Sequence, residues 1–393
     1  MSGNLAKPKV GLVLPGGGAR AAYQVGVLKG LAEMLPQDVP SPFSVISGTS
    51  AGAINAALLA SHAQDFRHGV AYLDHVWRDI HSDRVFKTGA YTALKTSAHW
   101  LFTMLSGGMD RHNPISLLDN APLRVLLREH INFDRIEEAI DAGALDALAI
   151  TASGYTSARS ITFYQGRRDL KPWHRTRRLG QPVEICLDHI MASVALPVIF
   201  PAVLIGREFF GDGSLRQSAP LSPVVHLGAE RVLVAAVRNE QPNRMPLEGE
   251  MVPYPSLGQI AGYLLDTLFM DSIYGDLERL QRINNTVSRI PGRPGEEQPL
   301  KVIDTLVITP SEDMRDIAQH HMREFPRSVR LLLRGVGAMH KSGSQLLSYL
   351  LFESGYCRDL IELGQRDAQT QADKLLAFVG AEQKAEEANK VAG

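Results

Sequence analysis

The first 240 residues alternate short runs of Val, Ile, Leu and Ala with longer segments that have helical periodicity. Continuous apolar runs are typical of parallel strands buried on both faces, and helices between them are the usual crossover connections. The alternation therefore predicts a doubly wound α/β fold with a mainly parallel central sheet. The predicted strands are Lys9–Leu14, Phe43–Ile46, Leu145–Ala152, Ser160–Gln165, Val203–Phe210 and Arg231–Val237, and the predicted helices are Ala19–Met34, Ala51–Ala60, Asp65–Ile80, Ala121–His130 and Asp188–Ser193.

The pattern changes near residue 240, which predicts a division into two parts. Residues 1–240, with a core at about 9–237, form the predicted α/β domain, and residues 241–257 form a linker. Residues 258–393 form a mainly helical C-terminal extension with one strand near 305–309 and a tail, 381–393, that we expect to fray. Segments rich in Pro, Gly or charge are predicted loops, at Gly166–Glu184, 240–256 and 291–300.

The composition is that of a folded globular protein, with 45% hydrophobic and 21% charged residues among 393. Lys and Arg total 41 against 42 Asp and Glu, so we expect no attraction to nucleic acid. The two cysteines, Cys186 and Cys357, lie far apart and outside any metal-ligand spacing. A disulfide framework and a multi-cysteine zinc site are therefore not expected.

Neither an export signal nor a membrane span is visible in the sequence. The polar segment Met1–Pro8 runs into the apolar stretch Val10–Leu14, which is too short for the core of a signal peptide. The longest apolar windows, Ala51–Ala60 and Met191–Pro201, fall well below the ~20 residues that a span needs. We therefore expect a cytoplasmic protein, with any membrane contact peripheral and on the inner membrane face.

The segment Gly48-Thr49-Ser50-Ala51-Gly52 has the pattern G-x-S-x-G between an apolar β-type run and a helical segment. A nucleophilic serine needs this spacing, because it projects from a tight turn in which side chains at the flanking positions would collide with backbone. The helix that follows would direct the N–H of Ala51 and its positive dipole end toward a developing oxyanion. The alternative is that Ser50 only caps this helix.

A second motif, Pro15-Gly16-Gly17-Gly18-Ala19-Arg20, follows the first predicted strand and precedes a helix. Consecutive glycines expose backbone N–H groups that could hold an oxyanion. Gly16 to Ala21 also match G-x-G-x-x-A, the dinucleotide fingerprint, although no strand that ends in an acid follows at the distance this fingerprint requires. A turn with only a packing role is the third interpretation.

A nucleophilic serine needs a base, and both histidines and a carboxylate are candidates. His189 and His226 could each complete a Ser-Asp-His order, but neither has an informative sequence context. Asp212 ends the predicted strand Val203–Phe210 and lies between two glycines, which would let its carboxylate enter a tight site. An ordinary Asp-Gly turn is the alternative interpretation of this position.

Taken together, these motifs resemble the patatin-like phospholipase family over roughly Lys9 to Val237. The resemblance rests on four blocks: the glycine-rich loop at 16–20, the G-x-S-x-G segment at 48–52, the stretch Ala192–Pro201 and Asp212-Gly213. It implies a three-layer α/β/α fold extended by the C-terminal helices. It also implies a catalytic dyad of Ser50 and Asp212, with an oxyanion hole from the Gly16, Gly17 and Gly18 loop and from Ala51.

The resemblance implies a serine esterase of the phospholipase or lysophospholipase type that acts on a fatty acyl ester through an acyl-Ser50 intermediate. Such a reaction would need neither a cofactor nor a metal, and therefore no calcium. Asp212 would have to contact Ser50 in a desolvated site, since an exposed carboxyl with a pKa of about 3.9 is a weak base. Protein partners are not predicted by any motif.

Contact with lipid is predicted at two segments and at one arginine. The apolar stretch 98–105 could form a lid or a membrane-resting helix, or a buried helix. The basic segment 166–181, around Trp173, could attract anionic headgroups or be an ordinary solvated loop. Arg20 could bind the substrate headgroup or pair with an internal acid and fix its loop.

Other functions remain compatible with the same residues. An acyltransferase or thioesterase would use the same acyl-serine with a different acceptor or substrate. A catalytically silent lipid-binding or scaffold protein would use the C-terminal helices as its partner surface. A dinucleotide-binding oxidoreductase would rest on Gly16 to Ala21 alone.

Overall fold

The computed structural model describes residues 8–88, 116–239, 254–289, 300–335, 337–339 and 343–381. The apolar segment 98–105, most of the predicted linker and nearly all of the tail lie outside the described residues. The strands are β1 (Val10–Leu14), β2 (Val45–Thr49), β3 (Ala147–Gly154), β4 (Ser160–Gly166), β5 (Trp173–His174), β6 (Arg178–Pro182), β7 (Val203–Ile205), β8 (Glu208–Asp212), β9 (Arg231–Ala235) and β10 (Asp304–Ile308).

Helices connect and cover these strands, as the alternation in the sequence predicts. They are α1 (Ala22–Met34), α2 (Ala51–Ala60), α3 (Phe66–Arg78), α4 (Ser82–Val85), α5 (Ala121–His130), α6 (Asp134–Asp141), α7 (Leu187–Ser193), α8 (Ser222–His226), α9 (Leu257–Asp266), α10 (Ser272–Val287), α11 (Met314–His321), α12 (Arg327–Gly335), α13 (Ser344–Leu350), α14 (Ser354–Thr370) and α15 (Ala372–Val379). A π-helical turn, Thr267–Asp271, joins α9 to α10.

The strands form one sheet in the order β10-β9-β1-β2-β3-β4-β6-β5. Neighbouring strands run parallel from β10 to β3, and β4 then pairs antiparallel with β3. β1 and β2 are buried along their whole length. The prediction of an α/β fold with a mainly parallel central sheet is confirmed.

The C-terminal extension is part of this sheet. β10 pairs in parallel with β9, so that Ile308 lies opposite Ala235. α14 packs against α1 closely enough that a Cβ on Gly26 would lie 2.0 Å from the carbonyl oxygen of Ile361. The boundary predicted near residue 240 is therefore not a boundary of the sheet or of the core.

Two local predictions were wrong. The single strand predicted at Val203–Phe210 is a hairpin, because Gly206 adopts a φ of +62° and reverses the chain between β7 and β8. The loop predicted at Gly166–Glu184 contains β5 and β6, which extend the sheet edge by pairing with each other and with β4. The β-propensity of a single segment does not reveal such short edge strands, because they are stabilised by pairing with neighbouring strands.

Candidate active site

Ser50 lies in a strained turn between β2 and α2. Its φ of +54° and ψ of −132° are sparsely populated for a residue with a side chain. A Cβ on Gly48 would lie 2.3 Å from the carbonyl oxygen of Gly52, and a Cβ on Gly52 would lie 2.0 Å from that of Leu14. The two flanking glycines thus give the turn the space that the sequence motif predicts.

The backbone of this turn is held by a residue that the sequence analysis did not select. The N–H of Ser50 donates to Ser193 Oγ at 2.9 Å, and this hydroxyl donates to the carbonyl oxygen of Thr151 at 2.7 Å. Ser193 is fully buried at the end of α7. Ser193 lies in the stretch Ala192–Pro201, one of the four blocks of the family resemblance, and this position was the sequence signal that could have identified it.

Asp212 is placed near Ser50 because β2 and β8 pair with consecutive residues of β3. Thr49, the last residue of β2, lies opposite Thr151, and Asp212, the last residue of β8, lies opposite Ala152. Since β4 occupies the other edge of β3, β8 continues the edge along which β2 ends. Asp212 is therefore brought next to the Ser50 turn.

The Asp212 carboxyl is completely buried, and this burial raises its pKa to about 6. Interactions with the Ser50 hydroxyl and with Ser214 oppose the rise, and Oδ1 accepts the N–H of Ser214 at 2.9 Å. The second oxygen, Oδ2, has no hydrogen-bond partner among the described residues. One buried carboxylate oxygen is thus available as a proton acceptor.

The glycine-rich loop lies beside Ser50 and packs against the C-terminal region. Gly18, with a φ of +54°, lines the same cleft as Ser50, and a Cβ on it would lie 2.2 Å from the Tyr349 carbonyl oxygen. A Cβ on Gly16 would lie 2.5 Å from the ring of Phe269. Among the hydrogen bonds between described residues, none uses the N–H of Gly16 or Gly17.

Arg20 is buried and points into the protein. Its guanidinium donates to Asp266 at 3.1 Å and to the Ser348 hydroxyl at 2.7 and 2.9 Å, and it lies 3.9 Å from the ring centre of Tyr349. Its exposed fraction is 2%. These contacts favour the interpretation in which Arg20 pairs with an internal acid and fixes the loop over binding of a headgroup.

Among the described residues, neither candidate histidine base forms a hydrogen bond with the Ser50 turn. The ring of His189 accepts the Cys186 N–H at 3.0 Å, which caps α7. The His226 ring packs against Trp173, with 4.9 Å between ring centres. Desolvation lowers the pKa of both imidazoles, so both favour the neutral form.

A cleft leads away from Ser50 and is lined almost entirely by apolar side chains. Its volume is about 690 Å³ with the open mouth included. Gly18, Ser50 and Ala51 form one part of its wall. The aliphatic and aromatic part of the lining includes Ile54, Leu58, Trp77, Leu126, Leu196 and Phe352. An alkyl chain could be buried along this wall beside the serine.

The described residues contain no group of His, Cys, Asp or Glu side chains arranged to hold a metal ion. No helix in the described ranges is long and apolar enough to cross a bilayer. In the basic segment 166–181, Arg167 pairs with Asp169 at 2.7 Å and with Asp146 at 3.2 Å. Part of its positive charge is therefore neutralised within the protein.

Curated relatives are phospholipases that match parts of the chain. A cGAMP-activated phospholipase of Pseudomonas aeruginosa is 26% identical over 209 residues, 53% of this chain and 53% of the relative. A cUMP-AMP-activated phospholipase of Escherichia coli is 41% identical over 71 residues, 18% of this chain and 22% of the relative. The chain thus spans about half or less of the length of these relatives.

Among solved structures, human GIVD cytosolic phospholipase A2 in complex with methyl gamma-linolenyl fluorophosphonate aligns over 95% of this chain and 58% of its own, with 12% identity and a TM-score of 0.42. The model of the family described as patatin-like phospholipase matches residues 12–225, more than half of the chain. This segment contains both glycine motifs and Asp212. The chain belongs to the patatin-like phospholipase family.

Proposed function

We propose that the protein is a serine lipid acyl hydrolase of the phospholipase or lysophospholipase type, in which Ser50 and Asp212 form the catalytic dyad. The observation that carries the proposal is the position of Ser50, which lies in a strained turn at the wall of an apolar cleft and interacts with the fully buried carboxyl of Asp212. The phospholipases among its relatives support the class of substrate.

In the first step, Asp212 accepts the proton of Ser50 as Oγ attacks the carbonyl carbon of the ester. The raised pKa of Asp212 makes it a stronger base than an exposed aspartate, while it stays largely ionised at neutral pH. The protonated carboxyl then donates its proton to the departing alkoxide. Acyl-Ser50 and a free alcohol are the products of this half-reaction.

The tetrahedral intermediates carry a negative oxygen that backbone N–H groups would stabilise. We assign this role to the loop Gly16, Gly17 and Gly18 and to Ala51 at the N-terminus of α2. The unused N–H groups of Gly16 and Gly17 support the assignment. Water, deprotonated by Asp212, then attacks the acyl-enzyme, and Ser50 recovers its proton as the fatty acid leaves.

The cleft supports a substrate with a long alkyl chain. Its apolar lining offers almost no polar group along the wall, so a chain of methylene groups would gain free energy as it leaves water. A fatty acyl ester that enters with its chain in the cleft would place its carbonyl beside Ser50. Short polar esters would lack this contribution to binding.

Fluorophosphonate labelling tests the dyad directly. Wild type should be labelled, with the modified peptide containing Ser50 by mass spectrometry, while Ser50→Ala should not be labelled and Asp212→Asn should be labelled at least about 100-fold more slowly. Ser61→Ala is the matched control, because Ser61 is equally buried on α2's C-terminal side and outside the cleft. Unchanged labelling in Ser50→Ala would contradict the proposal.

A further inference from the structure

Helix α9 has the reverse of the polarity expected for a helix at a protein surface. Its only charged residue, Asp266, is buried against Arg20. Four of its ten residues are large apolar side chains that are exposed to solvent. They are Leu257 (70%), Ile260 (41%), Tyr263 (67%) and Leu264 (56%).

These four side chains share one face of the helix. Leu257, Ile260 and Leu264 follow the i, i+3, i+7 spacing that places residues in one stripe, and Tyr263 adjoins it. Tyr254, just before the helix, is 91% exposed. A continuous apolar stripe in water is unfavourable, so such surfaces are usually places where another phase or molecule binds.

Helix α12 presents a basic face and two exposed leucines, Leu331 and Leu332. Arg327, Arg330, Leu331 and Arg334 have the i, i+3, i+4, i+7 spacing of one helical stripe, and Leu331 is 71% exposed. α12 contains no acidic residue, and none of its three arginines forms an ion pair with another described residue. Among the described residues, the stripe therefore carries positive charge that no acidic side chain pairs with.

The two helices meet at the turn that follows α12. A Cβ on Gly337 would lie 2.8 Å from Ser256 Cβ, and a Cβ on Gly258 would lie 2.8 Å from Ala338 Cα. α9 also packs on α13, whose residues Tyr349 and Leu350 line the cleft beside Ser50. α9 is thus one helix away from the cleft. The exposed faces of α9 and α12 are here called the α9–α12 surface.

We propose that the α9–α12 surface docks the protein on an anionic lipid bilayer. Apolar side chains without hydrogen-bonding partners match the acyl region, and a row of arginines matches anionic headgroups. The charged side chains of α12 are all of one sign, which suits a surface made of many anionic headgroups. The inference concerns binding and goes beyond the proposed hydrolysis.

Co-sedimentation with vesicles tests the docking, with Ser50→Ala as the background so that no lipid is consumed. The vesicles are phosphatidylcholine, alone or with about 30% phosphatidylglycerol. Leu257→Gln combined with Leu264→Gln should weaken binding to the anionic vesicles about tenfold or more, because both side chains lose their contact with the acyl region. Glutamine is a good helix former, so the helix should persist.

Charge is tested by a second variant, Arg327→Gln combined with Arg330→Gln. Binding to anionic vesicles should fall about fivefold for each arginine, and binding to pure phosphatidylcholine should not change. Added salt should weaken wild type more than this variant, because screening acts on the same charges. Equal losses on both vesicle types would contradict the electrostatic part of the proposal.

The matched control is Leu204→Gln combined with Phe209→Gln, an apolar pair on the β7–β8 hairpin in which both side chains are more than half exposed. It should bind vesicles as wild type does. Loss of binding in this control as large as in the α9 variant would overturn the assignment of the surface. A concentration-dependent dimer that the α9 variant abolishes, without vesicle binding, would identify a second copy of the chain as the occupant and would also overturn it.

Discussion

Ser193 Oγ accepts the backbone N–H of Ser50 at 2.9 Å and so ties the end of α7 to the turn that carries the proposed nucleophile. The hydroxyl also donates to Thr151 on β3, the residue opposite the end of β2. One buried side chain therefore connects the helix, the turn and the strand along which Asp212 is placed. The turn's strained φ and ψ are sustained by such surrounding contacts.

Ser193→Ala is expected to lower both stability and kcat. Two buried backbone groups lose their partner, which should cost about 1–3 kcal/mol in the free energy of unfolding. A displaced Ser50 turn should lower kcat about 10- to 100-fold with little change in KM. Ser61→Ala, which removes a local hydroxyl bond to the Leu58 carbonyl, should leave kcat unchanged. Full activity in Ser193→Ala would show that this bond does not position Ser50.

Gly18→Ala should abolish activity or folding of the loop. The new Cβ would lie 2.2 Å from the Tyr349 carbonyl oxygen in a residue with positive φ, so either the loop or α13 must move. Gly143→Ala is the control, because its φ of +72° is similar but no atom lies within 4 Å of the added Cβ. Gly143→Ala should lower the free energy of unfolding, measured by thermal unfolding, by only about 1 kcal/mol, and it should leave activity unchanged. If both substitutions lowered activity and stability equally, the clash with the Tyr349 carbonyl oxygen would not be the cause.

The pH dependence of kcat/KM should report the ionisation of Asp212. The proposed mechanism needs the carboxylate form, and burial raises the pKa of this group to about 6. Activity on a monomeric ester should therefore rise about tenfold per pH unit below this value and level off above it. A rising limb centred near pH 4 would contradict a desolvated Asp212 as the base.

Asp212→Asn should raise the free energy of unfolding at neutral pH. Because the carboxyl has a pKa of about 6 in the folded protein against an ordinary 3.8, the folded state binds more protons between these values. The contribution of Asp212 is thus most favourable in acid, and it falls by about 2 kcal/mol as pH rises from about 4 to about 7. Urea unfolding of wild type and Asp212→Asn at about pH 4 and about pH 7 measures this difference. A gain in stability of the variant that is the same at both pH values would contradict the prediction.

Much of the fold was predictable from local pattern. The apolar runs of β1, β2, β3 and β9 and the helices between them are visible as periodicity, because burial on both faces requires continuous apolar residues. The hairpin at β7 and β8 was not recognised, since a single Gly206 with positive φ decides it. The edge strands β5 and β6 depend on pairing that no local signal reports.

The candidate site also has features that the sequence predicts and features that only the tertiary structure reveals. The sequence by itself determined the glycine spacing around Ser50 and the glycine-rich loop, because a tight turn excludes side chains wherever it occurs. Only the tertiary structure decided that β2 and β8 share one edge of β3, that Ser193 holds the turn and that Arg20 pairs with Asp266. Ser50 and Ser193 are 143 positions apart, and Arg20 and Asp266 are 246 positions apart. Such contacts arise from packing and burial, which local sequence does not encode.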